Sequence, residues 1–411
     1  MSRRTISRWL FLVMSASVLL LATGAATGGA SRVSRGSVLW AAVAAPPAPP
    51  PPEAASPAAV AALQQAVAAW LPALDRASHL VSTDTITVRR SSVVGNQVGV
   101  YFLVKQTSRL DYRAPEDTPV LKGFADFLAA DGASLTPVER AIIEDRKSRF
   151  ANLFQRDIST PVARSVAMKA TGALAPDGGV VPGSVELYVD GGEGDYIPAA
   201  QLLQRIPSPA AVEADVANGL AAFARQAARS LAVQTANPRA VPVPRLPQPS
   251  PSLPPPPPQN VYNGDAAGAY ADWYTSDATQ PCPGGLAVQD RYYWNSAYAG
   301  YDCNDCANYV SQSLYAGGVP QSSAWQPGTV DWFNVVYLRG YMTDNGYWSV
   351  ESYSTALRGD AITLGNLHTM MVVDNSNAVL YRSAHTDDVV YTAWYGRSDA
   401  SYWSVAVYQS P

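Results

Sequence analysis

All three cysteines and two of the three histidines in this chain occur in its last third, in an order that suits thiol chemistry. Cys303 and Cys306 lie within Asp302–Gln312, shortly before the pair Gly317-Gly318. His368 and His385 lie further along the chain. A cysteine at the start of a helix with a histidine on a later strand is the arrangement typical of a thiol hydrolase. The elements that would position these side chains can be predicted from the residues around them.

The cysteine segment is predicted to form a short helix that begins near Cys306. Asn304 and Asp305 are favourable N-cap residues, and Gly317-Gly318 is a favourable C-cap signal, so the helix is about 11 residues long. The free amides and the dipole at a helix N-terminus stabilise a thiolate, and they can also stabilise an oxyanion. Cys306 in the first turn gains most from this position, whereas Cys303 precedes the helix and gains less.

The histidines are predicted to lie on two adjoining strands. His368 begins a strand-like run that ends at Val373, and His385 ends the return strand that starts at Val379. His368 is the expected base for Cys306, and a third residue would orient it. The candidates for that third role are His385, Asp374 and Asn375. For His385 the alternative is a structural role, in which its ring bonds to a nearby loop.

The segment Asp305–Gln312, which reads Asp-Cys-Ala-Asn-Tyr-Val-Ser-Gln, resembles the signature of the "putative amidase domain" family of secreted bacterial proteins. The resemblance spans about residues 260–411. It implies kinship with the NlpC/P60 and CHAP cell-wall hydrolases and a papain-like fold, with Cys306 as the nucleophile and His368 as the base. His385 also matches a family position. Further matching segments are Trp332–Val335, Tyr337, Tyr341, Gly359-Asp360 and Ser383–Asp387.

Three cysteines in an exported chain leave one of them unpaired. A Cys282–Cys303 disulfide would leave Cys306 available for catalysis, and we favour it over a chain with no disulfide because disulfides form after export. Pairing of Cys306 with either other cysteine would block the nucleophile. A zinc site built from Cys303, Cys306, His368 and His385 is a further alternative, but the usual spacing of paired ligands is absent.

The first 30 residues have the pattern of a secretory signal peptide. Arg3 and Arg4 precede an uncharged stretch from Trp9 to Ala30, whose apolar part runs from Leu10 to Leu21. That apolar part is about a dozen residues, shorter than the roughly 20 that a spanning helix needs, so cleavage is favoured over a retained anchor. The start also resembles a twin-arginine signal, so the route is either Sec or twin-arginine. We expect a secreted or cell-wall-associated protein with no stable membrane association after cleavage.

Proline tracts predict the domain boundaries. We expect a proline- and alanine-rich spacer over residues 31–55, an α+β domain over 56–237, a proline-rich linker over 238–259 and the amidase domain over 260–411. Within 56–237 we predict a helix over Ala58–Leu74, a hairpin around Gly95-Asn96 and a capping box at Thr136. This middle domain specifies no chemistry, and a positioning, prodomain-like or binding role is expected. The amidase domain is predicted to be α+β, with its helix packed on a small antiparallel sheet.

Charge separates the two halves of the chain. From Gln259 onward there are 14 acidic residues and five basic residues, none of them lysine, which gives a formal charge of −9. Such a surface argues against nucleic acid as a partner. The same segment holds seven of the ten tryptophans. Trp325, Trp332 and Trp348 could line a groove for sugars or could belong to the core.

These observations predict a secreted cysteine amidohydrolase that cleaves an amide bond in peptidoglycan through a thioester, with no cofactor or metal. The bond is either the N-acetylmuramoyl–L-alanine amide or one within the stem peptide, and the sequence does not choose between them. We expect a monomer whose partner is peptidoglycan. Two alternatives remain open, namely a non-catalytic wall-binding protein that keeps the fold and a secreted cysteine peptidase that acts on proteins.

Overall fold

The computed structural model describes residues 54–191, 196–236, 259–278, 280–282, 288–376 and 379–409. The predicted signal peptide, most of the predicted spacer and most of the proline-rich linker lie outside these residues.

The helices follow one another in two groups on either side of the linker. They are α1 Pro57–Ala77, α2 Pro119–Ala130, α3 Pro137–Ser159, α4 Ala199–Arg205, α5 Pro209–Ala236, α6 Gly264–Trp273, α7 Cys306–Ala316, α8 Val330–Phe333 and α9 Val335–Asp344.

The strands before the linker include the longest ones, and those after it are shorter. They are β1 Leu80–Val94, β2 Gln97–Leu110, β3 Val162–Ala173, β4 Glu186–Asp190, β5 Tyr196–Pro198, β6 Gln259–Asn260, β7 Gln280–Pro281, β8 Val288–Gln289, β9 Trp348–Glu351, β10 Ala361–Leu364, β11 His368–Ser376, β12 Val379–Ala384, β13 Val389–Trp394, β14 Ala400–Val405 and β15 Tyr408–Gln409.

Several local predictions are confirmed. The predicted first helix is α1, which starts at an N-cap serine, Ser56, whose side chain accepts from the amide of Ala59. The hairpin is β1–β2, and its turn includes Gly95 at a φ of +62°. The capping box is formed at Thr136, whose side chain and Glu139 bond reciprocally at the start of α3. These signals are local, so the sequence alone is enough to identify them.

Helix α1 is, among the described residues, long and apolar enough to cross a membrane by length and composition. Its face formed by Leu63, Val67, Leu71 and Leu74 is buried in the main hydrophobic core, with residues of β2 and β3. That burial is what a core helix of a folded domain requires. In this structure α1 therefore acts as a covering helix for the sheet.

The mixed α+β class is confirmed, but the predicted separate N-terminal domain is not. Most strands on both sides of the linker join one sheet, in the order β1-β2-β3-β13-β12-β11-β10-β14-β9, with β4 and β5 attached beside β3. All its pairs are antiparallel except β3–β13, which is parallel and joined through Ser165 and Thr392. The described residues from 54 to 409 accordingly belong to one compact unit. The predicted small sheet of the amidase domain, β9 to β14, is one end of this larger sheet.

Buried ion pairs also join the two sides of the linker. Arg146 on α3 pairs with Glu351 on β9 and, at 2.7 Å, with Asp360 just before β10. All three side chains are at most 3% exposed. A buried charge needs a partner, because an isolated ion in a low-dielectric interior is very costly. The carboxylates after the linker are thus compensated by an arginine before it.

A second buried cluster of charged side chains lies beside the contact between β3 and β13. Arg164 on β3 pairs with Asp157 at 2.6 Å and with Asp374 on β11 at 2.9 Å. Arg156 on α3 reaches the other oxygen of Asp374 at 3.1 Å, and the hydroxyl of Tyr391 donates to that carboxylate. Burial favours the neutral acid, but Arg164 and Arg156 outweigh it and lower the pKa of Asp374. This acid therefore holds the two parts of the chain together.

Candidate active site

Helix α7 begins at Cys306 and spans 11 residues, as the caps predict. Asp305 is its N-cap residue and Gly317 its C-cap residue. The helix packs against β11 through Ala307, Val310 and Leu314, which lie in the same core cluster as Met371 and Val373 of that strand. Cys306 is only 2% exposed. The first turn of a buried helix thus holds the predicted nucleophile.

The predicted disulfide is confirmed. Cys282 and Cys303 are bonded, with their Cα atoms 5.8 Å apart and 21 positions apart in sequence. Cys306 is outside this disulfide. Cys303 is consequently not available as a zinc ligand, and Cys303 and Cys306 do not act together as a CxxC pair.

The side chain of Asp305 binds His385 instead of capping α7. One carboxylate oxygen of Asp305 lies 2.7 Å from Nδ1 of His385, and Nε2 of the same ring lies 2.6 Å from the carbonyl oxygen of Tyr274. The ring is sandwiched between Trp294 and Tyr309, at centroid distances of 4.6 Å and 4.1 Å. His385 is 1% exposed. The two hydrogen bonds and the two stacked rings therefore fix the position and the ring plane of His385.

These contacts define the protons on His385. A carbonyl oxygen can only accept a hydrogen bond, so Nε2 must carry a proton. If Asp305 is ionised, Nδ1 must also carry one, and the pair is an imidazolium beside a carboxylate. The alternative is a neutral ring whose Nδ1 accepts from a protonated Asp305. Either arrangement places one transferable proton between the residue before Cys306 and an imidazole.

The polar residues of the Asp-Cys-Ala-Asn-Tyr-Val-Ser-Gln segment share one face of α7. The other oxygen of Asp305 accepts from the amide of Tyr301 at 2.8 Å and from Nδ2 of Asn308 at 2.9 Å. Asn308 accepts from the indole of Trp332 at 2.7 Å, and Gln312 accepts from the hydroxyl of Tyr270 at 2.6 Å. These bonds attach the surrounding loop and helices to this face of the helix.

Asp305, Asn308, Gln312 and His385 line one cavity of about 140 Å³. Asn308 and Gln312 belong to the segment that carries the family resemblance, but sequence reasoning missed their shared role. The available signal was their spacing, because positions i, i+3 and i+7 lie on the same side of a helix. This cavity is the space next to the candidate histidine that a substrate group could enter.

The structure does not bring His368 to the side of the sheet where α7 lies. His368 pairs with Leu364 across β10–β11, and cross-strand partners share a face. Leu364, with Met370 and Trp394, belongs to a different core cluster from Cys306. Burial, with Arg382 and Arg397 nearby, lowers the pKa of His368 to about 3, so this ring is neutral. The register thus places His368 on the face with Leu364, and the predicted pairing of Cys306 with His368, and of His368 with His385, stays a prediction.

The other candidates for the third role are engaged elsewhere. Asp374 is held by Arg164 and Arg156 in the buried cluster beside β3 and β13. The side-chain amide of Asn375 donates to the carbonyl oxygens of Ser354 and Ala356. The carboxylate that binds His385 is instead that of Asp305.

The tryptophans considered for a sugar groove are in the core. Trp325 and Trp332 are 0% exposed and Trp348 is 1% exposed. Trp325 and Trp332 pack on each other at 4.7 Å between ring centroids, and the indole of Trp332 bonds Asn308. Their role is to fill the space beside α7, so a sugar-stacking role for these three side chains is excluded in this structure.

Comparison with known proteins gives a family match for the part of the chain that holds α7 and His385. Residues 261–408 match a family model described as "Putative amidase domain", which indicates amidase-type hydrolysis for this region. An uncharacterized protein of Bacillus subtilis (strain 168), YjcM, is 31% identical over 142 residues. The alignment covers 30% of this chain, and the chain spans about a third of that relative, 31% of its length. No solved structure matches.

Proposed function

We propose that this protein is a secreted cysteine amidohydrolase that cleaves an amide bond in peptidoglycan, with Cys306 as its nucleophile. One observation carries the proposal. The helix that begins at Cys306 is preceded by Asp305, whose carboxylate holds the imidazole of His385 at 2.7 Å on the same side of the sheet. A thiol at a helix N-terminus with a fixed imidazole nearby is the arrangement that thiol hydrolysis needs. The family match to residues 261–408 supports the hydrolase class.

We assign the proton transfers to His385, because His368 lies on the opposite face. In the starting state the proton of Cys306 already resides on the imidazole, as the Nε2–H whose hydrogen bond the carbonyl oxygen of Tyr274 accepts. The thiolate attacks the amide carbonyl carbon. Backbone amides in the first turn of α7 stabilise the oxyanion. The imidazolium then protonates the leaving amine as the C–N bond breaks, which leaves a thioester on Cys306. Water, deprotonated by the imidazole, hydrolyses the thioester to a carboxylic acid and restores the thiolate–imidazolium pair.

The proton of this cycle is carried on Nε2 of His385. Nδ1 faces Asp305, which orients the ring and stabilises the imidazolium. Nε2 donates to the carbonyl oxygen of Tyr274 at 2.6 Å, so this bond must break before Nε2 gives its proton to the leaving amine. Asp305 and Tyr274 are therefore positioning groups in the proposal, and Cys306 and His385 are catalytic.

A non-catalytic wall-binding protein is the second candidate, and two observations favour it. Cys306 is 2% exposed, and both ring nitrogens of His385 are engaged in hydrogen bonds. A nucleophile has to meet its substrate, so catalysis requires an opening of this site. Clearing of a peptidoglycan suspension separates the two functions. A Cys306→Ala variant that clears the suspension as fast as the wild type would rule out thiol hydrolysis.

The scissile bond is decided by the chemistry of the products. Mass spectrometry of soluble fragments from digested sacculi would show free stem peptides with a new L-alanine amine after amidase cleavage. Cleavage within the stem or the cross-bridge would leave shortened peptides attached to muramic acid. Release from a casein substrate but not from sacculi would favour a peptidase that acts on proteins. We propose export through residues 1–30, and the mass of the protein recovered outside the cell tests its removal.

A further inference from the structure

A cavity of about 460 Å³ lies where α3 meets the N-terminus of α6, away from the candidate active site. It is lined by three arginines, Arg149 and Arg156 from α3 and Arg358 from the loop before β10. Among the described residues that line it, the one carboxylate is that of Asp265, whose side chain is 87% exposed and lies 3.8 Å from Arg358. The lining therefore carries more positive than negative charge, within a segment whose formal charge from Gln259 onward is −9.

The three guanidinium groups differ in how they are compensated. Arg156 forms ion pairs with both Asp157 and Asp374. Arg358 binds Asp272 at 2.8 Å and donates to the carbonyl oxygen of Val373. No ion pair among the described residues includes Arg149, whose charge acts on the buried Glu351 only from beyond ion-pair distance. Two arginines are thus fixed by their partners and hold the walls of the cavity, while Arg149 has its charge available for a ligand.

The backbone at the cavity is arranged so that Arg149 can approach the start of α6. A Cβ atom on Gly264 would lie 2.9 Å from Nη2 of Arg149 and 2.3 Å from the carbonyl oxygen of Arg358. Only glycine fits at this point. The amide of Ala266 is capped by Asn263, whereas the amides of Gly264 and Asp265 belong to the first turn and have no carbonyl partner within the helix.

From this geometry we infer that the cavity binds a phosphate group, either free or carried in a polymer. Guanidinium groups bind phosphate oxygens through paired, charge-assisted hydrogen bonds, and helix N-terminal amides add to such sites. One guanidinium group without an ion-pair partner, beside two further guanidinium groups and free helix amides, suits an anion with several acceptor oxygens better than a single carboxylate. The ligand would contact α3 and α6 together and so would bridge the two sides of the linker.

The test is a calorimetric titration of the full chain with inorganic phosphate, with a short glycerol-phosphate oligomer and with glutarate. We expect saturable phosphate binding that an Arg149→Gln variant weakens about tenfold, because one charge-assisted contact is lost. Lys147 lies on the same helix but not in the cavity lining. A Lys147→Gln variant removes the same charge and should change the affinity by less than about twofold.

The ligand series identifies the source of the phosphate. Tighter binding of the oligomer than of inorganic phosphate supports a polymer ligand, and equal binding supports free phosphate. The inference is overturned if the wild type shows no saturable phosphate binding, if Arg149→Gln binds as tightly as the wild type, or if glutarate binds as tightly as phosphate. Binding does not depend on hydrolysis, so these outcomes are independent of the proposed amidase activity.

Discussion

At the scale of single residues, the proposed mechanism depends on which histidine lies on the side of the sheet that α7 covers. His385 stacks on Tyr309 of that helix and binds Asp305, whereas His368 lies with Leu364 and Met370 on the other face. A general base has to reach the proton that it removes, so geometry is considered before the identity of the residue. The resemblance assigns this role to His368 and our proposal assigns it to His385. The two assignments give opposite results for a pair of variants.

We expect His385→Gln to lower kcat/KM on peptidoglycan by about 100-fold or more, because proton transfer at Cys306 is lost. His368→Gln should leave kcat/KM within about threefold of the wild type, since this side chain does not face α7. His79→Gln, a change before the linker, serves as the control, and circular dichroism verifies that each variant is folded. Loss of activity in His368→Gln with activity retained in His385→Gln would return the role of base to His368.

His368 also makes a prediction about stability. Its pKa falls from 6.5 to about 3 in the folded protein because the ring is buried near Arg382 and Arg397. Below about pH 6.5 the unfolded chain gains a proton that the folded protein does not bind. The free energy of unfolding is therefore not reduced by His368 above pH 6.5. As the pH falls from 6.5 towards 3, it decreases by about 1.4 kcal/mol per pH unit.

Urea unfolding of the wild type and of His368→Gln at several pH values measures this contribution. Between about pH 6.5 and pH 5 the wild type should lose about 2 kcal/mol more stability than the variant. Other groups titrate in both proteins and cancel in the comparison. Parallel stability curves for the two proteins would mean that His368 is not held neutral in the folded state.

The sequence could identify these histidines but could not assign them to faces. In a strand with one solvent-exposed face, the alternation of polar and apolar residues shows which face is turned to the core. Strand β11 has no such alternation, because every residue from His368 to Ser376 is buried. The start of α7 at Cys306 was predictable because the capping residues are close to it in sequence. The role of Asp305 was not, because its contact with His385 spans 80 positions.

At the scale of elements, helix α3 and strand β3 contribute charges that the strands after the linker require. Arg164 binds Asp157, Asp374 and the carbonyl oxygen of Ser108, and its side chain is 0% exposed. Its loss would leave two acids buried without their main partner. We therefore expect Arg164→Met to lower the free energy of unfolding by about 3 to 5 kcal/mol.

Chemical denaturation of the full chain measures this effect, with Arg229→Met as the matched control. Arg229 lies on the solvent-facing side of α5, so its replacement should change the stability by less than about 0.5 kcal/mol. Equal effects of the two substitutions would show that the buried pairs of Arg164 contribute no more than a surface charge. A large effect of Arg164→Met alone would show that the buried ion pairs of Arg164 stabilise the contact between β3 and β13.

The ends of the elements were predictable where local signals exist, as at Thr136 and at Gly95. The sheet that joins the two halves was not predictable in this way. Its connecting pair, Ser165 with Thr392, links strands on opposite sides of the proline-rich linker through a parallel contact. Composition favoured two domains because that linker interrupts the chain. Local composition does not indicate which strands pair when they are far apart in sequence.

At the scale of the whole molecule, the structure predicts that the linker can be cut without separating the parts. The two sides share a sheet, a hydrophobic core and buried ion pairs. A protease site inserted within residues 238–258 should therefore give two fragments that elute together in gel filtration after cleavage. Fragments that elute apart, each with a cooperative unfolding transition, would instead establish the two independent domains that the sequence suggested.

Hydrolysis of a wall amide by Cys306 is tested most directly by the amines released from purified sacculi. The wild type should release new amino groups together with soluble fragments, and Cys306→Ala should release none above the level of buffer alone. Cys306→Ala retains the disulfide and the Asp305–His385 contact, so it isolates the thiol. Release of amines by Cys306→Ala at the wild-type rate would contradict the assignment of Cys306 as the nucleophile.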